Sequence, residues 1–65
     1  MQKKLVGDDV ITYTNARPVV HGVLAFVYHL IQGRMMPGTN EERIKKCFEQ
    51  ANTFLNVFED INDIK

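Results

Sequence analysis

One segment of this 65-residue sequence, residues 18–33, carries apolar side chains around most of the circumference that a helix would give it: Val19, Val20, Val23, Leu24, Phe26, Val27, Leu30 and Ile31. Its length favours a helix over a strand, with Pro18 in a first turn capped by Thr14 or Asn15. Gly33 suits the end of this helix. A helix that is apolar on every side must be covered on every side. We therefore expect the chain to assemble into a homo-oligomer.

A second helix is predicted for residues 40–63, and its start is well marked. Thr39 and Glu42 have the spacing of a capping box. Between the two helices lies a loop over residues 33–38, and Pro37 in this loop prevents the first helix from continuing. Apolar positions recur along the second helix and form one broad face: Ile44, Cys47, Phe48, Ala51, Phe54, Leu55, Phe58 and Ile61.

Residues 1–17 are predicted to form a short N-terminal arm. The run over residues 10–14 is β-branched and aromatic, which favours an extended conformation. A lone strand has no local partner, so a first helical turn is an equal alternative. The complete expectation is an all-α protein with one domain over residues 1–65, namely a two-helix hairpin with a short N-terminal arm, assembled into a homo-oligomer.

Composition and charge exclude several classes of protein. Eight basic and eight acidic residues give no net charge, which argues against a protein that binds DNA or RNA. The single cysteine, Cys47, and two separated histidines give no zinc-ligand spacing, so no metal or other cofactor is expected. The sequence shows neither a signal peptide nor an apolar run that would span a membrane. We therefore expect a cytoplasmic protein that binds no membrane.

No catalytic residues are expected, because the sequence holds no Ser-His-Asp order, glycine-rich phosphate loop or metal-spaced carboxylate set. Binding remains, since cationic side chains and the amides of capped helix starts can donate to phosphate. Arg43, in the first turn of the second helix, is the strongest candidate, and Tyr13 would stack on a base. The other candidates near the helix ends are Lys46, Arg17, Arg34, Thr14 and Thr39. Only an oligomer would gather such residues into one pocket.

Several short stretches resemble a known family: Leu30-Ile31-Gln32, the loop containing Pro37, Glu42-Arg43, Phe48-Glu49-Gln50-Ala51 and Phe54-Leu55-Asn56. Over about residues 18–62 the chain resembles the phage-encoded anti-CBASS and anti-Thoeris proteins, the cyclic-nucleotide sponges. The acidic stretch 59–63 departs from that family. The resemblance implies a homo-oligomer, typically a hexamer, in the host cytoplasm. It also implies pockets at subunit boundaries that hold a cyclic nucleotide without cleaving it.

Three function classes remain open. The first is non-enzymatic sequestration of a cyclic nucleotide immune signal by a phage-type oligomer that counters host defence. The second is a small helical regulator or inhibitor that docks on a larger protein, and the third is a structural or toxin–antitoxin type assembly factor. Convergence of the cationic residues at a subunit junction would favour the first class. An apolar stripe left exposed would favour the second.

Overall fold

The computed structural model describes residues 5–64 as two helices joined by a short turn. Helix α1 spans Asp8–Gln32, a 3₁₀ turn spans Gly33–Met35, and helix α2 spans Asn40–Ile61. Within residues 5–64 there is no strand. Early residues of α1 contact late residues of α2, so the helices are antiparallel. The prediction of an all-helical hairpin is confirmed, whereas assembly of several copies stays a prediction.

The N-terminal arm is where prediction and structure differ most. Residues 8–17 are helical and belong to α1, so the arm predicted for this segment and the helix start predicted at Pro18 are wrong. Pro18 lies inside the helix, where its ring removes one backbone N–H. The part of the arm predicted for residues 1–4 lies outside the described residues.

Contacts with α2 explain why this segment is helical. The ring of Tyr13 lies 5.2 Å from the ring of Phe58, and the Arg17 guanidinium binds the Glu59 carboxylate. A helical conformation places these two α1 side chains, four residues apart, on the same side of the helix. Two acidic residues in the first turn add a favourable interaction with the helix dipole. Together these interactions outweigh the β propensity of residues 10–14.

Helix α2 begins as predicted and ends two residues before the predicted end at Asp63. The Thr39 hydroxyl accepts from the Glu42 N–H at 3.2 Å, and the Glu42 carboxylate accepts from the Thr39 N–H at 2.9 Å. The predicted capping box is therefore confirmed. At the other end Asp63 adopts a left-handed φ of 57°, and the Ile64 N–H donates to the Glu59 carbonyl at 2.8 Å. This geometry closes the helix.

The core between the helices is built mainly from small side chains. Ala25, Cys47, Ala51 and Leu55 are each at most 2% exposed. The Cys47 thiol is free, and its Sγ lies 3.9 Å from Met36 Sδ. Because the side chains at a helix contact set the distance between the helix axes, small residues allow a close approach. They also leave the larger apolar side chains outside the contact.

The predicted apolar face of α2 is buried only in part. Cys47, Ala51 and Leu55 lie in the core as expected, but Phe54 is 50% exposed and Ile61 is 56% exposed. The buried stripe is therefore narrower than the apolar face of the sequence. One copy of the hairpin leaves much of its apolar surface uncovered.

Candidate functional site

The predicted ligand-binding residues lie in two groups toward opposite ends of the hairpin. Tyr13, Thr14 and Arg17 lie in the first half of α1 and line a shallow cavity of about 270 Å³ together with Glu59. The molecule is 41 Å long and its helices are antiparallel, so one copy does not bring this group to the start of α2. The residues at that other end are Thr39, Arg43 and Lys46.

Glu59 holds the first group together. Its Oε2 atom accepts from the Tyr13 hydroxyl at 2.8 Å and from Arg17 Nε at 2.6 Å. Arg17 Nη2 also donates to the side-chain oxygens of Asn52 at 3.3 Å and Asn56 at 3.4 Å. Five side chains thus form one polar network that joins the two helices.

The network shifts the pKa of its three ionisable members. The hydrogen bond from Arg17, followed by the one from Tyr13, lowers the pKa of Glu59. The hydrogen bond to Glu59 raises the pKa of Arg17. Burial, followed by the hydrogen bond to the Glu59 carboxylate, raises the pKa of Tyr13 to about 12. The carboxylate, the guanidinium and the neutral phenol therefore coexist over a wide pH range.

This arrangement joins the two helices and leaves few hydrogen-bonding groups available to a ligand. The Arg17 charge is balanced by Glu59, and the Thr14 hydroxyl donates to the Val10 carbonyl at 2.8 Å. A phosphate at this position would have to compete with a carboxylate that is already in place. That competition carries a cost that a free arginine would not.

The second group lies in the first turns of α2, and its side chains make fewer hydrogen bonds than those of the first group. Thr39 uses its hydroxyl and its N–H in the capping box. Arg43 is half-buried, and its buried Nε atom has no hydrogen-bond partner among the residues that the structure describes. Lys46 is exposed. Arg43 therefore carries a buried donor that the described residues leave unpaired.

His21 contributes to the packing of α1 against α2. His21 Nε2 lies 2.8 Å from the Phe48 carbonyl oxygen, and the two rings meet edge to face with centroids 5.3 Å apart. Among residues 5–64 no group of three or more His, Cys, Asp or Glu side chains is placed to hold a metal ion.

A groove of about 510 Å³ runs along one side of the hairpin. Tyr28 and Gln32 of α1 and Phe54 and Val57 of α2 lie along its walls. The Gln32 side chain donates to the Gln50 side-chain oxygen across the two helices. This groove is lined mainly by neutral side chains.

The outer face of α1 carries a stripe of exposed apolar side chains that the rest of residues 5–64 does not cover. We call it the outer seam and define it by six residues: Thr12, Ala16, Val19, Val23, Phe26 and Leu30. Its four large side chains are between 56% and 68% exposed. At 3.6 residues per turn the seam lies opposite the side of α1 that carries Tyr13, Arg17, His21 and Ala25, which contact α2.

The sequence interpretation missed the regular spacing of this seam. Successive seam residues are separated by alternating steps of four and three, the spacing of a coiled-coil contact face. Starting the first helix at Pro18 hid Thr12 and Ala16, so the remaining residues looked like part of an all-round apolar helix. A test of the heptad pattern across residues 8–32 would have revealed the seam.

Comparison with models of protein families, with curated proteins and with solved structures finds no match. Among the described residues, no helix combines the length and apolar character that crossing a membrane requires. What the fold defines is a class, the two-helix hairpin with an uncovered apolar face. The particular function rests on the surfaces described above.

Proposed function

We propose that this protein is a non-catalytic interaction protein that works as a self-assembled unit, with the outer seam of α1 as its binding surface. One observation carries the proposal. Val19, Val23, Phe26 and Leu30 lie on one face of α1 and are 68%, 56%, 61% and 66% exposed. Exposed apolar patches of this kind mark interaction sites in soluble proteins.

The energetics of burial support assembly. Fully burying a Val, Leu or Phe side chain is worth about 1.5–3 kcal/mol, and each large seam residue realises less than half of this in one copy. A single small core of this length supplies about 3–5 kcal/mol. The described core has small side chains at its centre, namely Ala25, Cys47 and Ala51, so we expect its contribution to lie at the low end of this range. Covering the seam would therefore add stability comparable to that of the hairpin itself.

The mass of the protein in solution tests this proposal. We expect light scattering at micromolar concentration to give a mass well above the 7.5 kDa of one chain. Val23→Asp should reduce this mass, because it places a charge in the seam. Val57→Asp is the matched control, since Val57 has a similar exposure of 51% but lies on α2. A wild-type chain that is folded and monomeric would overturn the proposal, and so would equal loss of mass in both variants.

Assembly adds to apparent stability, so a second readout is needed to separate loss of assembly from loss of the fold. Circular dichroism on the same samples reports helix content. Val23→Thr, which keeps the shape of the side chain and adds a hydroxyl, should weaken assembly less than Val23→Asp does. A graded loss of mass at constant helix content supports the seam as the binding surface.

A second candidate function is the sequestration of a cyclic nucleotide signal by a phage-type homo-oligomer. What supports it is Arg43 near the capped start of α2, where backbone amides and the helix dipole favour an anion. Within residues 5–64 the Nε atom of Arg43 has no hydrogen-bond partner. Arg17 supports it less, because Glu59 already balances its charge. In this proposal Arg43 holds the phosphate and Lys46, one turn away, adds charge.

Titration with a panel of cyclic nucleotides tests this second candidate. Arg43→Gln should abolish binding, whereas Lys45→Gln, which removes the same charge from an exposed position, should preserve it. The complex is then heated and the released ligand is analysed. Intact nucleotide in stoichiometric amount supports sequestration, and a linearised product indicates an enzyme. Failure of every panel member to bind removes this candidate and leaves protein association.

A further inference from the structure

The outer seam of α1 is symmetric about its own midpoint, and this symmetry indicates what covers it. We propose that its partner is the outer seam of a second copy of this chain, packed antiparallel across a two-fold axis. The inference rests on the proposed function, because it takes the outer seam as the binding surface. It adds the orientation and the register in which two copies pack, and it limits the contact to two copies.

The register follows from the spacing. The steps along the seam are four, three, four, three and four residues, and this order is the same from either end. A two-fold axis at the midpoint therefore maps the seam onto itself. It places Thr12 opposite Leu30 and Ala16 opposite Phe26, and it places Val19 opposite Val23 of the second copy. Each of these layers occurs twice, as a closed two-fold interface requires.

The sizes of the side chains favour this orientation. In the antiparallel pairing the largest seam residue, Phe26, faces the smallest, Ala16, and the two central layers each contain two valines. A parallel pairing would place Phe26 against Phe26 and Ala16 against Ala16. Such layers would be overfilled at one level and empty at another, and both defects destabilise a close-packed interior.

The charges at the ends of the seam favour the same orientation. Asp8 lies four residues before the seam, in the first turn of α1, and Arg34 lies four residues after it, in the 3₁₀ turn Gly33–Met35; both are exposed. The antiparallel register places Asp8 of one copy opposite Arg34 of the other, at both ends of the interface. A parallel pairing would bring like charges together. Arg17, which carries a charge in α1 beyond its first turn, binds Glu59 of α2 and stays out of the seam.

The resulting unit is a four-helix arrangement with the two α1 helices in the centre and one α2 helix on each outer side. The dipoles of two antiparallel α1 helices point in opposite directions, which is a favourable electrostatic arrangement. A single such pair covers both outer seams, so the interface closes on itself.

Exchange of the end charges tests the orientation. At low ionic strength, Asp8→Arg and Arg34→Asp should each weaken self-association about tenfold, because each change turns two attractive pairs into repulsive ones. The double variant and an equimolar mixture of the two single variants should both return to within about threefold of the wild type. Glu49→Lys, an exposed charge reversal on α2, is the control and should leave association unchanged. Circular dichroism confirms that each variant remains helical.

The outcomes separate this inference from the proposed function. If association requires Val23 but neither single charge variant weakens it, the antiparallel orientation is wrong and the proposed function stands. If the wild-type chain is a folded monomer, both this inference and the proposed function are wrong, and the outer seam would have to bind a different protein.

Disulfide cross-linking gives a second, independent readout. In a Cys47→Ser chain, Ala16→Cys and Phe26→Cys proteins are mixed under mild oxidation and analysed by mass spectrometry. The antiparallel register predicts a mixed disulfide between the two, because cysteines bridge only over short Cα separations. Preferential formation of the two homodimers would overturn the proposed register.

Discussion

Replacing Glu59 by Gln removes one negative charge from the network between the helices while keeping the shape of the side chain. The carboxylate accepts from Tyr13 at 2.8 Å and from Arg17 at 2.6 Å through the same oxygen. An amide oxygen can still accept a hydrogen bond, but it offers no charge to the guanidinium. The variant therefore isolates the electrostatic part of the contact that places the first half of α1 against α2.

The expected cost follows from the exposure of the pair. The side chains of Arg17 and Glu59 are 28% and 19% exposed. Fully exposed ion pairs contribute about 0–1 kcal/mol, and hydrogen bonds to charged groups contribute about 1.5–3 kcal/mol. Screening by solvent at this partial exposure places Glu59→Gln between the two ranges, at about 1–1.5 kcal/mol of unfolding free energy. This is roughly a third of the stability expected for so small a core.

The effect should depend on pH with a definite sign. The pKa of Glu59 is lowered in the folded chain, so its contribution is complete above the unfolded value of 4.5. It disappears as the pH falls through the lower folded value. The stability difference between wild type and Glu59→Gln should therefore be present at neutral pH and shrink as the pH falls below 4.5 and through the lowered folded pKa of Glu59.

Urea unfolding followed by far-ultraviolet circular dichroism measures this difference, at one fixed protein concentration because assembly adds to apparent stability. Glu41→Gln is the matched control. Glu41 lies 3.8 Å from Lys45, and the two side chains are 80% and 73% exposed, so this change should cost less than about 0.5 kcal/mol. Equal costs for the two variants, or a Glu59→Gln cost that does not change with pH, would refute the reasoning.

Four further changes test the rest of the hairpin. Leu55→Ala should cost about 2–5 kcal/mol in urea unfolding, and Phe54→Ala should cost less, because Leu55 is 2% exposed and Phe54 is 50% exposed. Pro18→Ala should raise the unfolding free energy by about 1–3 kcal/mol, since it restores a backbone donor inside α1. Thr39→Ala should cost about 1 kcal/mol by the same measurement, through loss of the helix cap. Ultraviolet titration should show Tyr13 ionising near pH 12, and stability should fall as the pH rises from 10 toward 12.

The elements with strong local signals could be predicted from the sequence. The capping box at Thr39 and Glu42 and the break at Pro37 fixed the start of α2 and the loop before it. The start of α1 could not be found in this way. Its β-branched run is helical only because Tyr13 and Arg17 meet partners that lie more than forty residues away in the sequence.

The candidate site, too, could be predicted only where it depends on local sequence signals. Reasoning about donors placed Arg43 correctly near the start of α2. Arg17, expected beside the start of the first helix, lies inside α1 because that helix begins at Asp8. Such reasoning could not show that Arg17 forms an ion pair with Glu59, nor that Arg43 has a buried Nε with no partner in the described part of the chain, because both facts depend on tertiary contacts. The excess of apolar side chains in α1 was visible in the sequence. Their order as a seam required the correct start of the helix at Asp8.

The burial of Cys47 makes the chain's single thiol a reporter of hairpin opening. Its side chain is 1% exposed, and it lies between the helices beside Met36. A thiol reagent needs access to the sulfur, so labelling in native buffer proceeds only when α1 and α2 separate. The labelling rate then measures how often the helices part, without denaturant. The same shielding keeps copies of the protein from becoming covalently linked under oxidising conditions.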